Sequence, residues 1–218
     1  MALRINDTLP NLTVKTDQGA FALHDFIGDS WMILFSHPKD FTPVCTTEFG
    51  AVAQLAHEWE KRNTKVIGLS VDGVEEHVKW KADIESFSGA TAGFPIIADD
   101  DLEVSKAFDM LPADAYLPDG RTAADSASVR VVFIVSPDKK VQLMMSYPMS
   151  VGRNFAEVLR ALDALQATYQ TPIATPANWQ HGQDVIVALS LDDAAAREKF
   201  GEIDVKLPYL RTTKLSAA

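Results

Sequence analysis

The 218-residue chain carries a single cysteine, Cys45, in the string Ser36-His37-Pro38-Lys39-Asp40-Phe41-Thr42-Pro43-Val44-Cys45-Thr46-Thr47-Glu48. A thiolate is a strong nucleophile, and a helix N-terminus, with unpaired N–H groups and a partial positive charge, favours the anion. The string predicts that placement. An apolar run, WMILF at 31–35, reads as a buried strand leading into the loop. Cys45 then recurs with Phe49, Val52, Ala53, Ala56 and Trp59 at helical spacing, so the sulfur faces inward near a helix start. Thr42 and Pro43 are the hydroxyl cap and the proline that open such a helix. The competing reading is an inert core thiol, since free cysteines are among the most buried residues.

Pro38, Thr42 and Cys45 form Pro-x-x-x-Thr-x-x-Cys, and the wider string SHPKDFTPVCTTE closely resembles the long one-cysteine group of the peroxiredoxins. The resemblance covers almost the whole chain. It implies a thiol-dependent peroxidase that reduces hydrogen peroxide and organic hydroperoxides, using Cys45 as nucleophile. Thr42 and the Val44 and Cys45 N–H groups would supply hydrogen-bond donors to the peroxide, and Pro38 a pocket wall. Arg130, in the strand VRVVFI, matches the family's active-site arginine, although a long cation in a strand also reads as one snorkelling to solvent. Glu48 and Arg153 match family positions that orient that arginine, or are plain surface charges. His37 either tunes the pocket or packs at its rim, with no acid partner evident.

The product is a sulfenic acid on Cys45. No second cysteine is present to resolve it, so resolution requires an external thiol, glutathione or a thiol protein. No metal, haem or flavin is implied. The alternatives are a redox-sensing or holdase binding protein, and an added phospholipase A2-type activity. For the latter, Ser30, His24 and Asp138 match the triad proposed in some one-cysteine peroxiredoxins. Here the elbow reads Gly28-Asp29-Ser30-Trp31-Met32, with methionine where a small residue is needed. His57, His77 and His181 are scattered singly, and Asp99-Asp100-Asp101 reads as a helix cap rather than a calcium loop.

Those residues need a scaffold, and the periodicity supplies one. A hairpin over 13–23 is followed by strands near 31–35, 65–71 and 95–97 that alternate with helices over 43–62, 74–86 and 102–108. Paired strands over 128–136 and 141–147 and a helix over 154–169 complete it. This β-α-β then β-β-α order predicts an α/β, thioredoxin-like fold, a central mixed sheet flanked by helices. The boundary is drawn at 168/169: residues 1–168 as the peroxidase domain, and 169–218, opening on Thr171-Pro172-Ile173-Ala174-Thr175-Pro176, as an extension too small to fold alone. In the family such an extension helps build a homodimer, which leaves a homodimer or a higher oligomer as the expected state. A net charge of −10 argues against nucleic acid. No run is long enough to span a membrane, no apolar signal core opens the chain, and the cytoplasm is the expected compartment.

Overall fold

Residues 3–112 and 127–215 are described here from a computed structural model of the chain. Contacts divide the chain into two compact units, 1–155 and 156–218.

The first unit holds a seven-stranded mixed sheet. Its strands are β1 (Thr13–Thr16), β2 (Gly19–Ala22), β3 (Trp31–Ser36), β4 (Thr64–Ser70), β5 (Ile96–Ala98), β6 (Arg130–Val135) and β7 (Val141–Tyr147), in the order β2-β1-β5-β4-β3-β6-β7. β3, β4 and β5 run parallel, while β6 and β7 add antiparallel beyond β3. Every residue of β3 and of β6 is buried, which explains why both read as unbroken apolar runs rather than alternations.

Side chains of β3 still alternate between two cores. Met32 and Leu34 join Ile67, Leu69, Val131 and Phe133 on one face, with Leu23 and Ile27 of α1 (Leu23–Ile27) and Val104 of α5 (Glu103–Ala107). Phe35 points to the other face, with its ring 4.7 Å from that of Phe49 in α2 (Pro43–Gln54). Asp99 caps α5 as expected, its carboxylate accepting the Val104 and Ser105 N–H groups; burial pushes its carboxyl above the ordinary range.

Two glycines let α2 seat where it does. A Cβ on Gly68 of β4 would stand 2.8 Å from Phe49 Cζ, and a Cβ on Gly50 would stand 2.8 Å from Ser88 Cβ of α4 (Val74–Ser88). The helix expected over 43–62 is two: α2 ends at Gln54, and α3 spans Ala56–Lys61. The break has a local cause. The Val52 carbonyl takes the Leu55 N–H and the Trp59 indole N–H, so the chain turns at Leu55.

The second unit contains α6 (Phe155–Thr168) from its second residue onward. It continues with β8 (Ile173–Ala174), β9 (Val185–Val187), α7 (Asp193–Phe200), β10 (Asp204–Leu207) and β11 (Leu210–Thr213). The sequence boundary at 168/169 leaves α6 with the first unit, whereas α6 supplies Ala164 and Ala167 to a core with Ile173, Trp179 and Val185. A four-stranded sheet, β10-β11-β9-β8, completes the unit.

Candidate active site

The sequence around Cys45 folds as its punctuation predicts. Thr42 is the extended N-cap of α2, Pro43 opens the helix, and Cys45 lies in its first turn, fully buried. Thr46 N–H makes the first intrahelical bond, to the Thr42 carbonyl, so the N–H groups of Val44 and Cys45 have no helical partner. Phe41, just before the cap, has φ 55° and is exposed. Pro38 is buried in the same loop. The Thr42 hydroxyl is turned back: it donates to the Lys39 carbonyl at 2.9 Å rather than to the sulfur.

Arg130 does not snorkel to solvent. It is 3% exposed, and its Nη1 lies 3.3 Å from Cys45 Sγ and 2.8 Å from Glu48 Oε2. Its Nε donates to the Met149 carbonyl at 2.8 Å. β6 brings the guanidinium alongside the helix, one turn of which separates Cys45 from Glu48.

Glu48 and Arg153 are not surface charges. Glu48, 3% exposed, accepts four bonds: from Arg130 Nη1, and from Arg153 N at 2.8 Å, Nε at 2.9 Å and Nη2 at 2.6 Å. Arg153 Nη1 also donates to the Val131 carbonyl, and its guanidinium lies over the Phe35 ring. Burial pushes the Glu48 carboxyl up, but the Arg153 hydrogen bonds and charge outweigh it and hold the group below the ordinary carboxylate range. A carboxylate so pinned fixes the plane of both guanidiniums.

His37 corrects the sequence reading, which saw no acid beside it and left His77 isolated. Both rings converge on Asp40: His37 Nε2 at 2.6 Å from Oδ1, and His77 Nδ1 at 2.6 Å from Oδ2, all three residues buried. His37 also stacks on Trp80 and meets Phe49 edge-on. Burial lowers the His37 pKa more than Asp40 raises it, so the ring is neutral, donating from Nε2 with a bare Nδ1. Burial alone would raise Asp40, but the hydrogen bonds from His37 and His77 hold its carboxyl at about 2. The spacing of His37 and Asp40 was visible in the sequence; no local signal pointed to His77, which arrives from α4.

His37, Asp40 and Asp72 bring metal-type donor atoms within 4.8 Å of one another. Those atoms are already used: both Asp40 oxygens face imidazoles, and Asp72 Oδ2 accepts from Asp40 N–H and Ser70 Oγ.

The hydrolase triad residues do not meet through hydrogen bonds. Ser30 donates to Asn63, the His24 ring bonds the Leu9 carbonyl, and Asp138 accepts from Ser136. Met32 lies fully buried in β3. Ser30 does line a mostly apolar cleft of about 510 Å³ with Phe26, Trp59, Lys65 and Phe94, whose lining does not include Cys45.

Comparison with known proteins decides the family. Residues 5–144 match the AhpC/TSA family, and residues 164–202 match the C-terminal domain of 1-Cys peroxiredoxin. The chain is 47% identical to the mitochondrial peroxiredoxin PRX1 of Saccharomyces cerevisiae, over 97% of this chain and 81% of that one. It belongs to the 1-Cys peroxiredoxins. Peroxiredoxin-6 of Gallus gallus is 46% identical over 97% of both chains. A cysteine-to-serine mutant of peroxiredoxin 6 from Arenicola marina superposes with a TM-score of 0.91, at 40% identity over the full length of both. A solved structure of the yeast mitochondrial 1-Cys peroxiredoxin, concerned with thiol resolution through glutathione/thioredoxin systems, gives a TM-score of 0.87 at 46% identity, covering 98% of this chain and all of that one. Peroxiredoxins are peroxidases, and this chain has their thioredoxin-like fold with the C-terminal extension.

Proposed function

We propose that this peroxiredoxin reduces hydrogen peroxide and small organic hydroperoxides at Cys45, with Arg130, Thr42 and Pro38 completing the site. The observation that carries the assignment is the Arg130 Nη1 contact to Cys45 Sγ at 3.3 Å, held by Glu48 from the same helix. A buried sulfur with a fixed guanidinium beside it is complementary to a thiolate and to negative charge developing across an O–O bond. The sulfur attacks one peroxide oxygen and the O–O bond breaks. The leaving oxygen departs as water or alcohol after taking a proton, and Cys45 becomes a sulfenic acid. The Thr42 hydroxyl needs only a rotation away from Lys39 to face the substrate. Full burial of Cys45 favours small peroxides.

A lone cysteine requires an external reductant. The similarity to the yeast protein studied with glutathione/thioredoxin systems supports glutathione or a thiol protein in that role. Such chemistry suits a reducing compartment, and we assign the chain to the cytoplasm. A homodimer is supported by β7, an edge strand: beyond Val141, which pairs with Asn6 and Asp7, it has no second strand neighbour among the described residues and suits addition of a second copy, and Met144 on it is exposed. Sedimentation of the purified protein reads the oligomeric state.

The test is peroxide turnover with excess thiol. Cys45→Ser abolishes it, and Arg130→Ala lowers the peroxide reaction by about a hundredfold, the scale of losing one fixed charged donor. An Arg130→Ala protein that folds and keeps near-normal reactivity overturns the assignment.

A further inference from the structure

The loop that joins β3 to α2 carries Pro38 and Thr42 and belongs to no helix or strand, so ladder bonds do not fix it. Phe41 within it sits at φ 55°, in the left-handed region that a bulky side chain keeps only where the structure holds both of its neighbours. After Phe41 comes Thr42, whose carbonyl accepts the Thr46 N–H and the Thr46 hydroxyl. Before it comes Asp40, a buried carboxylate with no part in the peroxide chemistry above.

Asp40 is gripped through backbone and side chain alike. Its N–H donates to Asp72 Oδ2 at 2.7 Å, its Oδ1 faces His37 Nε2, and its Oδ2 faces His77 Nδ1, both at 2.6 Å. The other nitrogen of His77 lies 3.2 Å from the Ile97 carbonyl, which fixes the ring from behind. Most of these grips come from α4 and its lead-in. Asp72 precedes Gly73, the N-cap of α4, and His77 and Trp80 share one face of that helix. Trp80 stacks on His37 and donates its indole N–H to Thr46 Oγ1 at 3.1 Å. One face of α4 thus holds the loop at Asp40 and the first turn of α2 at Thr46, on either side of Phe41 and Thr42.

We propose that Asp40 and His77 are positioning residues for the peroxide step. Asp40 gives one oxygen to each imidazole, and that clamp sets Thr42 and Pro38 against Cys45. Neither residue bonds the sulfur in the described contacts, so both act through Thr42. This rests on the peroxidase reading above and adds two residues to it.

Stopped-flow reaction of hydrogen peroxide with reduced Cys45 tests the assignment. Asp40→Ala and His77→Leu each lower the second-order rate by about tenfold or more, within the hundredfold that a misplacement of about 1 Å costs. His77→Asn puts an amide N–H where Nδ1 stood and keeps most of the wild-type rate. In a Thr42→Val background Asp40→Ala and His77→Leu add little, because the group they act through is gone. Alkylation of Cys45 by iodoacetamide, which needs no donor to an O–O bond, changes far less than the peroxide rate. Circular dichroism and urea unfolding show which variants are folded, and if Asp40→Ala does not fold, the His77 pair decides. Near-normal peroxide rates in the folded truncations, equal loss in His77→Asn and His77→Leu, or undiminished effects in the Thr42→Val background overturn the proposal. Failure of both truncations to fold overturns it as well, in favour of a structural role. Failure of the peroxidase reading is seen separately, as absence of peroxide consumption by the wild-type protein with thiol.

Discussion

Glu48→Gln separates the electrostatic account from a purely steric one, because the side chain keeps its size and loses only its charge. In the native protein Glu48 takes four donors, three from Arg153 and one from Arg130, at 3% exposure. Removing the anion leaves two buried guanidiniums without a counter-charge beyond the sulfur. Breaking a buried pair on one side costs about 3–5 kcal/mol, and the glutamine carbonyl still accepts one or two of the bonds, so about 3 kcal/mol is expected. Urea unfolding at pH 7 reads that loss. Adding Arg153→Met removes the orphaned cation, and the double variant is expected to recover at least about 1 kcal/mol relative to additivity. The pH dependence has a definite sign. The folded Glu48 carboxyl is held below its ordinary 4.5, so its contribution is full above 4.5 and is lost as pH falls through the lower folded value. The gap between wild type and Glu48→Gln therefore narrows below about pH 4.5. A variant within about 1 kcal/mol of wild type at pH 7, with strictly additive doubles, refutes the reasoning.

Three other outcomes follow from the same structure. Thr42→Val keeps the fold, because the hydroxyl bonds only the Lys39 carbonyl, and lowers kcat/KM for peroxide by about tenfold or more in steady-state assays. Gly68→Ala forces a methyl against Phe49 Cζ at 2.8 Å, costs about 1–3 kcal/mol in thermal unfolding, and slows the peroxide reaction by moving α2. Stability falls in two limbs as pH drops. His37 has a folded pKa below 6.5, so its contribution is complete above 6.5 and declines below it by up to about 1.4 kcal/mol per unit; Asp40, held at about 2 against 3.8, adds a loss that begins only near pH 4. His37→Gln flattens the first limb and leaves the Glu48 behaviour intact, as pH-dependent urea midpoints would show.

The fold was legible in the sequence wherever burial on both faces left a continuous apolar run, as in β3 and β6, or where punctuation marked an end, as at Thr42-Pro43. The helix break at Leu55 was not, because an indole reaching back to Val52 is a tertiary event with no periodic trace. The place of Cys45 at the head of α2 was legible because Thr42 and Pro43 mark a helix start. Arg130, Glu48 and Arg153 could be named from the resemblance, but their burial was open until β6 and the 148–153 loop were seen to close on α2. The His37–Asp40–His77 cluster was half visible. Its first two members lie three residues apart, and the third comes from a helix 37 residues beyond Asp40, a pairing only the packing of α4 on α2 creates. The grouping of α6 with the C-terminal residues escaped for a related reason: an amphipathic helix shows that it has an apolar face, not which core receives it.

The most direct test of the central claim is the intact mass of the protein after one equivalent of hydrogen peroxide, with and without a sulfenic-acid trap, followed by peptide mapping. The account predicts rapid addition of one oxygen at Cys45, capture by the trap, and restoration of the thiol when external thiol is supplied. A Cys45 that stays unmodified in the folded protein while peroxide is present would contradict it.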